Sequence, residues 1–247
     1  MKVIYIMWLR QLKRYFRSKS RMLGSIGQPL LFLVALGFGF GPIFEKAGGG
    51  NYIDFLAPGI ISMGILFTAV FSGIEVIWDK QFGFLKETLV APISRYEIMI
   101  GRTLGGATVA LFQGVVVFFL SILIGFHPNL TLLPLALVFA ALIALFFTAL
   151  GTALASLMED MHGFQLIMNF LVMPTFFLSG ALFPLSGLPD FISTITAFNP
   201  LSYGVDGLRG ALIGGSHFGL ITDFSILGIM TLVVLALGSY LFSKIQV

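Results

Sequence analysis

Several stretches of this chain run for about 20 residues without a charged side chain, and that limits the available folds more than any other property. At 1.5 Å per residue such a run makes a helix of about 30 Å, the thickness of a bilayer's hydrocarbon. The apolar residues come in unbroken blocks rather than alternating, so a membrane β-barrel pattern is absent. Composition agrees: 57% of the 247 residues are hydrophobic and 10% charged, where a soluble domain carries about 25% charged residues. The expected fold class is all-α, a polytopic membrane protein. Cysteine is absent, which excludes disulfides and thiolate metal sites.

Reading the runs against charges and prolines gives six spans, at 22–42, 55–77, 103–125, 132–156, 164–183 and 224–243. No internal repeat or linker-like composition divides them, so residues 1–247 read as one membrane domain. Lys and Arg favour cytoplasmic loops. Twelve of the 14 fall on one side of this topology, leaving Lys46 and Arg209 on the other. Both termini are therefore expected in the cytoplasm of a multi-pass protein, together with the segment W-D-K-Q-F-G-F-L-K-E-T-L-V-A-P-I-S-R at 78–95.

Two cytoplasmic segments carry amphipathic patterns. Within 1–21, Trp8, Leu12, Tyr15 and Phe16 share one helical face, and Arg10, Lys13, Arg14 and Arg17 the other. This predicts a helix lying on the inner surface, aromatic face in the acyl boundary and cations toward anionic lipid headgroups. In the second, a helix from Asp79 places Phe82, Leu85 and Leu89 in an apolar stripe flanked by Lys80, Lys86 and Glu87. Pro92 ends it. The stripe needs a partner, either the membrane surface or a groove on another protein.

Catalytic signatures are missing. No Gly-Lys pair exists to build a phosphate loop, so ATP hydrolysis is not expected of this chain. No H-E-x-x-H occurs, His127, His162 and His217 are scattered, and no metal site is expected. Glu75 is the only acid well inside a span, near its cytoplasmic end. Snorkelling accounts for it, with a proton relay as the functional alternative. Small-residue pairs at Gly24, Ser25 and Gly27, at Gly101 and Gly105, and at Gly151 and Ala155 could admit close helix approach.

The run F-G-F-L-K-E-T-L-V-A-P-I-S-R-Y-E-I-M-I-G-R at 82–102 resembles the loop between the second and third helices of the type-2 ATP-binding-cassette (ABC-2) permease family. The runs F-L-S-G-A-L-F-P-L-S-G-L-P at 177–189 and N-P-L-S-Y-G-V-D-G-L-R at 199–209 resemble that family's carboxy-terminal pattern. The resemblance is strongest to daunorubicin-type drug exporter subunits. It implies the permease subunit of an ATP-driven exporter in the cell membrane, moving a hydrophobic or amphipathic cargo such as a drug, lipid or glycan. It implies as partners a cytosolic ATPase subunit and a second permease copy, identical or homologous, within membrane lipid and without nucleic acid. ATP and magnesium would belong to the ATPase, and this chain would hold no cofactor. Residues 79–92 would be the coupling helix, docking through Phe82, Phe84, Leu85 and Leu89, with Lys86 and Glu87 as polar partners and Pro92 fixing the exit. Residues 184–223 would form short re-entrant external helices. Asn199, Pro200, Asp206 and Arg209 would belong to an external gate there, the last two close enough to pair at i, i+3. The rival class is an ion-gradient-driven carrier or channel, for which Glu75 would have to be the working acid.

Overall fold

The computed structural model describes residues 2–90 and 93–244, and the described residues contain helices and turns but no strand. Helix α1 (Lys2–Arg17) and α2 (Lys19–Lys46) are followed by α3 (Tyr52–Phe71) and α4 (Ile74–Gln81), which form one rod broken only at Ser72 and Gly73. Next come α5 (Phe84–Val90), α6 (Arg95–Ile124) and α7 (Leu133–Ser156), the last entered through a 3-10 turn at Leu130–Leu132. After them, α8 (Met161–Ile167), a π-helical turn (Met168–Val172) and α9 (Met173–Phe177) run without interruption. The chain ends with α10 (Asp190–Phe198), α11 (Pro200–Ile213) and α12 (Leu220–Ser243).

Five helical segments among the described residues are long and apolar enough to cross a membrane: Lys19–Lys46, Tyr52–Gln81, Arg95–Ile124, Leu130–Ser156 and Leu220–Ser243. They match five of the six expected spans, with α6 starting eight residues early because Arg95, Glu97 and Arg102 interrupt the apolar run in its first two turns. The expected span at 164–183 differs. Helical backbone covers 161–177, about 25 Å at 1.5 Å per residue, and includes the wide turn. Pro174 has no N–H to offer the Phe170 carbonyl, and Phe170 lies within the π turn, which ends two residues before the proline.

Helix α3 is the axis of the bundle, packed by α2, α6, α7 and α11, while α2 and α12 keep most of their surface exposed. Glycines set the closest crossings. A Cβ on Gly151 of α7 would stand 2.7 Å from the Val70 carbonyl oxygen of α3. On α6, a Cβ at Gly101 would stand 2.7 Å from Met7 Cβ, and one at Gly105 would stand 2.6 Å from Gln11 Cβ. Those two glycines form the notch into which α1 packs. Gly24 and Gly27 of α2, by contrast, face open space.

Pro29 in α2 leaves the Ser25 carbonyl without its i+4 donor. Gln113 of α6 supplies the missing hydrogen bond from Nε2, and its Oε1 accepts from Thr68 of α3. One buried amide thus ties three helices together.

The face of α1 that packs inward is Met7, Gln11 and Tyr15, one residue around from the expected Trp8, Leu12, Tyr15 and Phe16 stripe. Trp8 is half-buried and donates to Thr108 of α6 at 3.0 Å, whereas Phe16 is exposed. The shift follows from the α6 notch, which admits Met7 and Gln11 at its two glycines.

Candidate functional site

Two clusters of polar chemistry stand at opposite ends of the bundle. The first surrounds α4, where Glu75 and Asp79 lie one turn apart and both are buried. Asp79 accepts from Arg10 Nη2 at 2.9 Å and from Arg102 of α6. Glu75 accepts from Arg21 Nη1 at 2.5 Å, and Arg14 Nη1 stands 3.6 Å from Asp79 Oδ1 and 3.7 Å from Glu75 Oε2. Two acids on α4 thereby join α1, α2 and α6. Arg10 and Arg14, expected on the headgroup face of a surface helix, bond to the acids of α4, while Lys13 and Arg17 are exposed. Glu75 does not snorkel either, being held inside by two guanidinium groups. Removing one partner from so buried a pair leaves an uncompensated charge, at a cost of about 3–5 kcal/mol.

The far side of α4 is fixed to α7. Lys80 Nζ donates to the Ser156 carbonyl at 2.5 Å and to the Met158 carbonyl at 2.9 Å, and Gln81 Nε2 reaches the Glu159 carbonyl at 3.2 Å. The end of α7 has carbonyls lacking intrahelical donors, and a cation there also meets the negative end of the helix dipole.

From this fixed base the chain turns at Phe82–Gly83 into α5. Gly83 has φ +76, a left-handed conformation that ends α4, so the expected helix over 79–92 is two helices, with Asp79 in the first. Phe82 is 80% exposed and Phe84 52% exposed, whereas Leu85 is fully buried in the core. Leu85 does not share the exposure expected of the stripe: the kink at Gly83 re-aims α5 so that Leu85 packs inward. Glu87 is exposed. Pro92 lies outside the described residues, as do the side chains of Lys86 and Leu89. Arg10 covers the Phe84 ring at 4.8 Å, and a cleft of about 690 Å³ runs between α1 and the α4–α5 joint.

The second cluster lies at the other end, around α11. Asn199 caps α11 by accepting from Leu201 N at 3.0 Å and donates to the Thr175 carbonyl at 2.7 Å, with Pro200 at the first helical position. Residues 201–212 are all buried, against α3, α7 and α12. Gly207 makes this possible, since any Cβ there would run into the Phe139 ring.

Asp206 and Arg209 do not form the expected ion pair. Asp206 accepts from the backbone N–H of His217 at 2.7 Å and of Phe218 at 2.8 Å, tying down the turn before α12. Arg209 donates to the carbonyls of Gly180 at 2.9 Å and Phe55 at 3.3 Å and lies over the Phe55 ring at 4.0 Å. Each side chain binds a different loop. Tyr52 adds a hydrogen bond to the Leu182 carbonyl at 2.8 Å, so 180–182 is anchored to α3 and α11 together.

Sequence reasoning missed Asp79, Arg102, Arg21 and Lys80. A signal was present: Glu75 and Asp79 at i, i+4 match the i, i+4 spacing of Arg10 and Arg14.

Comparison with known proteins places this geometry in context. The family described as ABC-2 type transporter matches residues 2–213. Nodulation protein J of Rhizobium leguminosarum bv. trifolii is 29% identical over 212 residues, covering 85% of this chain and 78% of that protein. The ycf38 protein of Porphyra purpurea, named as a transport permease, is 31% identical over 203 residues, covering 78% of this chain and 68% of that protein. Its counterpart in Cyanophora paradoxa is 29% identical over 209 residues, 80% and 71% of the two chains.

Proposed function

The chain belongs to the ABC-2 type transporter family, a multi-pass membrane component of ABC transporters, and from that membership we propose that it is the permease subunit of an ATP-driven exporter. Its cargo class is hydrophobic or amphipathic: a drug, a lipid or a glycan. In this reading residues 161–177 make the sixth crossing, both termini are cytoplasmic in the cell membrane, and two permease copies enclose the path. The ends of α4 and α5 meet a cytosolic ATPase that carries ATP and magnesium.

The observation that carries this reading is the contrast at Gly83. Before it α4 is bonded to α1, α2, α6 and α7, while Phe82 and Phe84, which flank the glycine, are 80% and 52% exposed. A contact that transmits force needs a stiff base and an unfilled surface, and this joint has both. When ATP draws two ATPase subunits together, displacement at Phe82 and Phe84 would pass into α4 and then, with little loss, into the rod of α3. At the other end Asn199, Pro200, Asp206 and Arg209 hold α11 and the 180–182 turn as an external closure that the same motion would release.

An ion-gradient mechanism would require a working acid in the membrane. Glu75, bound by Arg21 and Arg14, is better suited to holding α4 than to carrying protons. Co-expression with a candidate phosphate-loop ATPase subunit tests the proposal. The two should co-purify, and transport in vesicles should need ATP hydrolysis; transport that follows an ion gradient without the ATPase would overturn it.

A further inference from the structure

The slimness of α2 near its cytoplasmic end leaves space that the bundle does not fill. Gly24 has nothing within 4 Å of a Cβ position, and Pro29 is drawn inward against Gly64. Between α2, α3, α4 and α6, with Tyr15 of α1 at its edge, lies a cavity of about 320 Å³, and Trp78 stands between it and the cleft beside α1. Phe67, Phe71, Ile74 and Trp78 give it an apolar wall, and Arg21 and Glu75 give it one charge of each sign. Gly24 and Gln28 at its edge are exposed on the outward face of α2, so it opens sideways, where a bilayer would be.

The hydrogen bonds leave specific vacancies. Arg21 uses Nη1 on Glu75 Oε1, and its remaining N–H groups make no bond among the described residues. Glu75 is 3% exposed, yet its Oε2 accepts no hydrogen bond, Arg14 standing beyond donor reach at 3.7 Å. A buried carboxylate oxygen without a donor is costly, and such groups ordinarily find a partner. The site offers a cation for an anionic group and, beside it, a carboxylate for an N–H donor. A phosphate and an ammonium two carbons apart complement that pair, with the aromatic wall left for an acyl chain.

We propose that this cavity seats one bilayer phospholipid bearing a primary ammonium, its phosphate at Arg21, its ammonium at Glu75 and an acyl chain along Phe67 and Phe71. The proposal is independent of the exported cargo. A lipid so held fills the gap between α2 and the α3–α4 rod at inner-leaflet depth and wedges the two apart.

Trp78 lines the cavity, and the chain has two tryptophans, so Trp8→Phe leaves Trp78 as the sole emitter. The full-length Trp8→Phe chain is reconstituted in vesicles of phosphatidylcholine containing a set fraction of acyl-brominated phosphatidylethanolamine or, in parallel, acyl-brominated phosphatidylcholine. Bromine quenches on contact, and the two headgroups differ in their N–H donors. The expected result is a preference for the ethanolamine lipid of about tenfold, the ratio one charge-assisted hydrogen bond supplies.

Gly24→Leu should abolish the preference by filling the cavity without touching the ion pairs, because the new side chain enters open space. Glu75→Gln should abolish it by removing the carboxylate. Equal quenching by the two lipids, or a preference that survives either substitution, overturns the proposal. Water-soluble glycerophosphoethanolamine should leave quenching unchanged; relief of quenching would make a free headgroup compound the occupant and overturn the lipid.

Discussion

Arg102 donates to Asp79, closing a loop of chain that begins in α4, carries α5 and returns through the first turns of α6. Both side chains are buried, and Arg10 binds the other carboxylate oxygen. The base of the candidate docking helix is therefore clasped through charges and not through apolar packing alone.

Breaking the clasp should be expensive. Arg102→Met leaves Asp79 with Arg10 and the more distant Arg14, both on its Oδ1, and should lower stability by about 3 kcal/mol, the lower end of the range for a broken buried pair. The paired change Arg102→Met with Asp79→Leu should recover part of that loss. Thermal unfolding of the purified protein in detergent checks both.

Phe84 and Leu85 are neighbours with opposite fates. Phe84→Asp should insert and fold as the parent does yet fail to hold the ATPase in pull-down. Leu85→Asp should damage folding itself, since it places a charge in the core. Leu85→Ala should cost about 2–5 kcal/mol. Equal folding yields for the two aspartate variants would contradict the burial of Leu85.

The notch under α1 admits little extra bulk. Gly105→Ala should cost about 1–3 kcal/mol through overpacking, since the new methyl would meet the Gln11 side chain. Gly105→Leu should detach α1 altogether. Limited proteolysis within Lys2–Arg17 should then become rapid while the remaining helices stay resistant.

Exchanging the two charges of α11, as Asp206→Arg with Arg209→Asp, should be at least as inactive as either single neutralisation, because each residue bonds a separate piece of backbone. Transport in vesicles reads this out. Rescue by the exchange would restore the ion pair as the working interaction.

The apolar runs made five of the long helices legible, because a spanning helix must be apolar along its whole length. The break at Met168–Val172 was not, since Pro174 in an apolar run signals a disturbance without saying how the backbone absorbs it. Phe82 and Phe84 could be read as exposed aromatics in a charged segment. Leu85 could not be separated from them, because its direction depends on the left-handed turn at Gly83, and glycine permits that turn without requiring it. The pairing of Asp206 with Arg209 failed for a different reason. Spacing on a helix shows which side chains are near each other, but not that nearby loops offer unpaired N–H and carbonyl groups with a stronger demand. The network at Glu75 and Asp79 joins residues up to 69 positions apart, and its matched spacing becomes meaningful only once α1 is known to lie beside α4.

The single amide of Gln113 has a mechanical corollary. Its two hydrogen bonds reach the Ser25 carbonyl left vacant by Pro29 and the hydroxyl of Thr68, so α2, α3 and α6 cannot slide past one another without stranding a polar group in an apolar interior. Those three helices should travel as one rigid body. Any opening of the subunit must then run along its other seams, beside α8–α9 and α10, where few side chains would have to change partners.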